Sequence, residues 1–600
     1  MIAKIAPLIK LPSTTDVFDY FVPDEMAEKI KLGHLVTIPW RLKKITGVVL
    51  NLEKSPSDSH HSSPTAFPRQ GGGVFVKKFR ARPITNILDE NPVLTKAQLK
   101  LIKKFSKYYF VSSGSAARLI TPDKPKRIIK PKPKPLNPSA SQLEFKISKT
   151  QLAKLQEAAS NLADKTHHIQ INDISSFVWL ILRLAKGSGA QTLVLFPAID
   201  LIESLAPTVH KKYSDDLAII HSNLSLGKYW SEYQKILSGR AKIIFSTRQG
   251  VFLPMQEKSR IIFFESTSQD FKQYDQHPKY DARIVAEWLS RSAEASVFYC
   301  SASPNMFYRH PEQNDDLFLP SATITSLAVK LVDMKQEMHK RDFSIISDSA
   351  LDEINEAVSA GKKVLIMSLR QDSDEGVSVS KIKETLTNSL KNCKLSIYSD
   401  KTSLNDFDVL ITTAYPIETL KLNSKARNFE MAVFSSIEPL LALPDFRASE
   451  RTLNRLYYWK MMCQELGIKK IILQSYSPEN LAIRAFAYGE LDSYKKSELE
   501  NRKQLLYPPF SQLIKISYKA PKGAPSKFLS APDGPSYWDA NTVKEKLAES
   551  LGTNVRILGP FKDKKEQESL LLKITTDVDL SAIRSLPFGW RIDRDPENVL

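Results

Sequence analysis

Short apolar runs recur along the chain, and their period changes from segment to segment. Alternation through Ile2–Ile9, His34–Pro39 and Thr46–Leu50 predicts three strands of a small β-rich module. Thr95, with Gln98 three residues on, reads as a capping box. It opens a helix with Leu99, Ile102, Phe105 and Tyr109 at helical spacing, and Lys100, Lys103, Lys104 and Lys107 around the rest of it as a solvated face. From Lys149 the pattern becomes an alternation of helices and buried strands. Helices are predicted at Lys149–Ala163, Ser175–Lys186, Ile199–Leu205 and Lys228–Leu237, and strands at Thr192–Phe196, Ala218–His221, Lys242–Ser246 and Ile261–Phe264. Such alternation predicts a parallel sheet flanked by helices. A second unit of this kind follows, with strands Val364–Met367 and Val409–Thr412 and helix Ser380–Leu390. The last segment alternates at Ile514, Ile516 and Tyr518 and carries another run at Leu570–Ile574.

Two stretches break the pattern. Glu53–Gly73 is rich in Ser, Pro, His and Gly and predicts a mobile loop. Pro122–Pro135 holds five prolines and six Lys or Arg against one Asp, which predicts an extended, basic linker. The 600-residue chain therefore divides at about 1–120, 121–142, 143–335, 336–478 and 479–600. A formal net charge of +19 points toward a polyanionic partner, nucleic acid first. Three cysteines, Cys300, Cys393 and Cys463, stand far apart, so neither a disulfide framework nor a zinc cluster is expected. No long apolar run or leader pattern is present, and a cytoplasmic, nucleoid-associated protein without a membrane partner is expected.

The segments V-F-D-Y-F-V-P-D-E (Val17–Glu25), L-G-H-L-V-T-I-P-W (Leu32–Trp40) and I-T-G-V-V (Ile45–Val49) resemble the N-terminal domain of the primosomal protein N′ family, the PriA replication-restart helicases. The resemblance continues through L-V-L-F-P-A-I (Leu193–Ile199), T-R-Q-G-V-F-L-P (Thr247–Pro254), P-K-Y-D-A-R-I-V-A (Pro278–Ala286) and C-S-A-S-P (Cys300–Pro304). It resumes at P-D-F-R-A-S-E-R (Pro444–Arg451) and E-L-E-N-R-K-Q-L-L-Y-P-P-F (Glu498–Phe510). It implies a multidomain fold: an N-terminal β-rich DNA-binding domain, two degenerate RecA-like superfamily 2 helicase lobes, and a C-terminal α+β domain. It also implies a pocket for the 3′ end of a nascent strand, built on Phe18 and Asp19 with Tyr20 beside them, and a lysine position taken here by Arg82. The family's glycine after its Pro-Phe pair is Arg41 here. Arginine lacks glycine's freedom at positive φ, so a changed turn, or phosphate binding in place of the family's contact, is expected. On the residues alone, Phe18 and Tyr20 read as core and Asp19 as a turn cap. Arg248 reads either as a DNA-backbone contact or as a surface ion pair.

The same alignment predicts loss of the nucleotide chemistry. The phosphate-loop position falls on I-Q-I-N-D-I-S-S (Ile169–Ser176), without glycine and with Ser175 at the lysine. The acidic element falls on Phe264, Glu265, Ser266 and Thr267, leaving Glu265 as a remnant and no catalytic residue. The arginine-finger segment reads Tyr458–Glu465 and keeps neither arginine. The winged-helix domain and zinc region of the family are missing, so no ATP, magnesium or zinc is expected. The reading that follows is a replication-restart or repair protein that binds forked or branched DNA without ATPase or helicase activity. Expected partners are nascent 3′ ends, single-strand DNA-binding protein and other primosome or replisome proteins. An active 3′–5′ helicase with a divergent nucleotide site and a pure protein–protein scaffold are the alternatives.

Overall fold

Four sheets organise the described residues, and each takes its character from its strand pattern. In the computed structural model the described residues are 1–11, 17–53, 81–123, 147–158, 166–186, 190–214, 216–304, 316–318, 327–338, 345–372, 376–390, 393–399, 406–419, 429–518, 539–563, 567–587 and 589–599. Nearly all of the loop predicted at Glu53–Gly73 and most of the basic linker lie outside them. Among the described residues no helix is long and apolar enough to cross a membrane.

The N-terminal sheet is antiparallel, in the order Phe18–Phe21, Ile2–Pro7, Lys43–Glu53, Leu35–Trp40, Asn86–Ile87. The strand expected at Thr46–Leu50 is longer, because Lys43 and Lys44 pair with Trp40 and Pro39. The predicted capping box forms: Thr95 accepts from the Gln98 amide, and the Gln98 carboxamide accepts from the Thr95 amide at 2.8 Å. The helix it opens, Lys96–Tyr108, turns its five lysines to solvent and buries Ile102 and Phe105. Phe105 meets Phe252, Tyr280 and Trp288, so this helix fastens the N-terminal domain to the lobe that follows.

That lobe is a parallel sheet in the order Asp316–Phe318, His167–Gln170, Ser296–Ser301, Arg260–Phe264, Thr192–Leu195, Ile243–Ser246, Leu217–Ile220. Helix Ala282–Ala293 and strands Ser296–Ser301 and Asp316–Phe318 were not predicted, and two further elements differ from expectation. Strand His167–Gln170 carries two histidines that hide its apolar pattern. Helix Ile199–Tyr213 runs through Pro207 instead of ending before it. The second lobe is a parallel sheet in the order Ala328–Asp333, Lys470–Ser475, Phe429–Phe434, Lys363–Ser368, Val409–Thr413, Leu395–Ile397. These are the two parallel α/β lobes that the alternation of helices and strands predicts. The C-terminal domain is α+β, with an antiparallel sheet in the order Val555–Lys562, Glu568–Ile574, Gln512–Tyr518, Arg591–Arg594. One continuous apolar core joins the two lobes, taking in Phe177, Phe196 and Phe264 from the first and Leu453, Leu456 and Tyr458 from the second.

Candidate functional site

In an open parallel sheet, ligands sit beyond the carboxyl ends of the strands. At that edge of the first lobe, three residues, Ile171, Asn172 and Asp173, connect strand His167–Gln170 to helix Ile174–Lys186. A helix start leaves N–H groups unpaired and favours an anion there, which is how a phosphate loop holds its ligand. Here both demands are met by protein carboxylates. The Ser176 amide donates to Asp173 Oδ1 at 2.7 Å, and the Ile174 amide donates to Glu465 Oε1 at 2.7 Å. Glu465 comes from the second lobe, from helix Ala448–Glu465, at the segment expected to carry the arginine fingers. Burial pushes its carboxyl up to about 7; the Ile174 amide pulls it down and Asp173 opposes that.

Phe264, at the position that the resemblance gives to the metal ligand, is surrounded by apolar packing. Phe264 is fully buried, with its ring centroid 4.6 Å from Phe177, 5.8 Å from Phe196 and 6.2 Å from Tyr458 of the other lobe. Glu265 follows at φ +52°, a left-handed conformation that a glutamate takes at a cost of roughly 1–2 kcal/mol. Its carboxyl accepts from the Ala302 amide at 2.7 Å. Burial raises its pKa to about 8, with the Glu418 carboxylate adding to the rise and the Ala302 bond opposing it. It is therefore protonated at neutral pH, a poor state in which to activate water. Magnesium and nucleotide do not fit this donor set. The helix start already holds two carboxylates, a phenyl ring stands at the ligand position, and the residue beside it is spent on a backbone amide.

The lobes are tied at further points. Asp445, Arg447, Glu450 and Arg451 of the D-F-R-A-S-E-R segment join an ion-pair network that reaches beyond their own lobe. Glu597, near the C-terminus, receives Arg447 at 3.2 Å and Arg451 at 2.5 Å from the second lobe, and Arg283 at 3.2 Å from the first. Burial pushes Glu597 up, but Arg447, Arg283 and Arg451 outweigh it and hold the carboxyl below its usual range. Arg451 also pairs with Asp445, and Arg502 with Glu450 at 2.8 Å. Ser204 donates to the Thr419 carbonyl across the same cleft, and Tyr415 to Asp200.

The residues predicted for DNA binding fall in three places. Phe18 meets Trp40 edge-on at 4.7 Å. Asp19, the next residue on the strand, points to the opposite face and pairs with Lys4 at 3.3 Å. Tyr20 is a correction: it is buried in the sheet core, and its hydroxyl donates to the Pro39 carbonyl at 3.1 Å. Arg41 is a second correction: it keeps the positive φ a glycine would take, at +51°, and the turn survives. Arg82 donates to the Arg41 carbonyl at 3.4 Å, so these two predicted cations do come together. Arg248 is engaged inside its own lobe, with Nε donating to Gln273 at 2.8 Å and Nη2 lying 3.5 Å from Asp275. Glu465 and Glu597 were missed; neither lies in a recognisable motif, and their partners are distant in sequence.

Residues 8–122 match the family described as the PriA 3′ DNA-binding domain. The chain is 24% identical over 405 residues to the replication restart protein PriA of Thermotoga maritima, covering 55% of this chain and 53% of that one. It is 21% identical over 633 residues to PriA of Rickettsia conorii, covering 93% of this chain and 90% of the relative. The chain thus spans about half the length of the first relative and nine-tenths of the second. Among solved structures, RecG bound to a three-way DNA junction is similar at 12% identity and a TM-score of 0.36, over 60% of this chain and 50% of that one. Over residues 8–122 the chain is similar to the PriA 3′ DNA-binding domain, and along nearly its whole length it is similar to PriA of Rickettsia conorii.

Proposed function

We propose that this chain is a DNA-binding protein of replication restart that grips forked or branched DNA without hydrolysing ATP. What supports the second half is that Glu465 accepts the Ile174 amide at the start of helix Ile174–Lys186, where the resemblance would put a phosphate, and that Phe264 packs against Phe177 where it would put the metal ligand. Arginine fingers alone contribute roughly 10³ to 10⁵ in rate in phosphoryl transfer, and they are absent along with the phosphate and metal ligands. The first half is supported by the matched N-terminal family, the relatives' role in replication restart and the net charge of +19. ATP, magnesium and zinc have no part in this reading. Nascent 3′ ends, single-strand DNA-binding protein and other primosome or replisome proteins remain its proposed partners, in the cytoplasm with the nucleoid.

Two measurements test it. Anisotropy with labelled forks should give binding that weakens steeply as salt rises, since phosphate contacts release counterions. Phosphate-release assays with saturating fork DNA should give no stimulated hydrolysis. DNA-stimulated turnover would refute the ATPase half, and no salt-dependent fork binding would refute the DNA half in favour of a scaffold.

A further inference from the structure

Strands Leu35–Trp40 and Lys43–Glu53 are joined by a two-residue turn, Arg41-Leu42. Leu42 is 102% exposed, and no other large apolar side chain identified as exposed in the described residues comes near that value. Arg41, Lys43 and Lys44 surround it, all exposed, and among the described residues none has a carboxylate partner. Arg41 adds a second observation. Such turns are ordinarily made by Gly, Asn or Asp, yet an arginine is held here at φ +51°. Backbone strain of this kind is concentrated at functional positions. Beneath the turn, Phe18 and Trp40 are half-buried in an edge-on pair, and Arg82 anchors the next segment to the Arg41 carbonyl.

We propose that this hairpin tip is a wedge for a DNA branch point, with Leu42 laid against a base step and Arg41, Lys43 and Lys44 on the flanking phosphates. The inference rests on the DNA-binding reading above and adds where and how the branch is met. An apolar side chain inserted between bases must unstack them, which costs least where the stack is already broken. A branch offers such a step; a continuous duplex does not. The cations supply the charge complementarity that draws the tip to phosphate. A single leucine is a small apolar anchor for a bilayer, so the nucleic-acid partner is favoured over an anionic lipid surface.

The test uses the full chain and a fork carrying 2-aminopurine at the branch base pair. At saturating protein the unaltered chain should raise its fluorescence severalfold. Leu42→Ala should abolish the rise and Leu42→Phe should restore it; because the side chain is fully exposed, neither change threatens the fold. Replacing Arg41, Lys43 and Lys44 together by Ala should lower the slope of log K against log salt by about 2–3. An unchanged fluorescence rise with Leu42→Ala, on forks that still bind, overturns the wedge and leaves the DNA-binding reading standing. Absence of fork binding by the unaltered chain overturns both. Leu42-dependent binding to phosphatidylglycerol vesicles, with no branch signal, assigns the tip to a membrane instead.

Discussion

Glu265→Gln separates a remnant from a catalyst, because the two readings predict opposite results. Glu265 is 4% exposed, and its carboxyl is raised from 4.5 to about 8, first by burial and then by Glu418. Charging it in the fold therefore costs up to about 5 kcal/mol more than in the unfolded chain. The sign follows from linkage. A carboxyl raised in the folded state contributes stability that is complete below its unfolded value and lost as pH rises through about 8. Between about pH 5 and pH 7.5 this one group should remove about 3 kcal/mol, a ceiling, since water can enter as the group ionises. Glutamine is isosteric, and its carbonyl can still accept from the Ala302 amide. The variant should match the parent near pH 5 and exceed it by about 1–3 kcal/mol near pH 7.5 in urea denaturation, with fork binding unchanged. If Glu265 were a working base, the same change would instead abolish fork-stimulated ATP hydrolysis. A variant that loses such hydrolysis, or one no more stable than its parent near pH 7.5, would refute the reasoning.

The lobe contacts give two more expectations. Glu465→Ala leaves the Ile174 amide without its acceptor at the lobe interface and should cost about 1–3 kcal/mol; hydrogen exchange should quicken at the start of helix Ile174–Lys186, and added acetate should slow it again. Glu597→Ala removes a carboxylate shared by three guanidiniums, of which Arg283 keeps Asp281 and Arg451 keeps Asp445, and should cost up to about 3–5 kcal/mol, measured by thermal or urea unfolding at neutral pH.

Strand positions were legible at apolar runs such as Arg260–Phe264 and Lys363–Ser368, while Ser296–Ser301 and Lys470–Ser475 were not read as strands. Nor was His167–Gln170, because its two imidazoles read as polar. In the fold they serve as flat rings: His167 stacks on Phe298 and His168 on Tyr299, and burial pushes His168 down to about 3, so it stays neutral. Helix Ile199–Tyr213 outran its prediction because Pro207 is carried inside the helix. At the candidate site, the missing glycines and the phenylalanine at position 264 could be read directly. What replaced the ligands could not. Glu465 meets the helix start from 291 positions away, a pairing with no local period or spacing to announce it.

On the proposed function, these contacts sit where a nucleotide would join the lobes. In a nucleotide-driven motor, lobe closure is conditional, because the groups bridging the cleft belong to a ligand that comes and goes. Here the bridging groups belong to the chain. The carboxylate at the helix start comes from the second lobe, and the ring against Phe264 is Tyr458 of that lobe. Arg283, Arg447 and Arg451 converge on one C-terminal glutamate. Separating the lobes would expose a shared apolar core and strand buried charges with no binding energy to offset either cost. The two lobes are therefore expected to unfold as one cooperative unit, with scattering profiles that do not change when ATP is added. On the proposed function, the surfaces they present to DNA keep a fixed register, and discrimination between DNA shapes falls to the parts at their edges, the N-terminal hairpin among them.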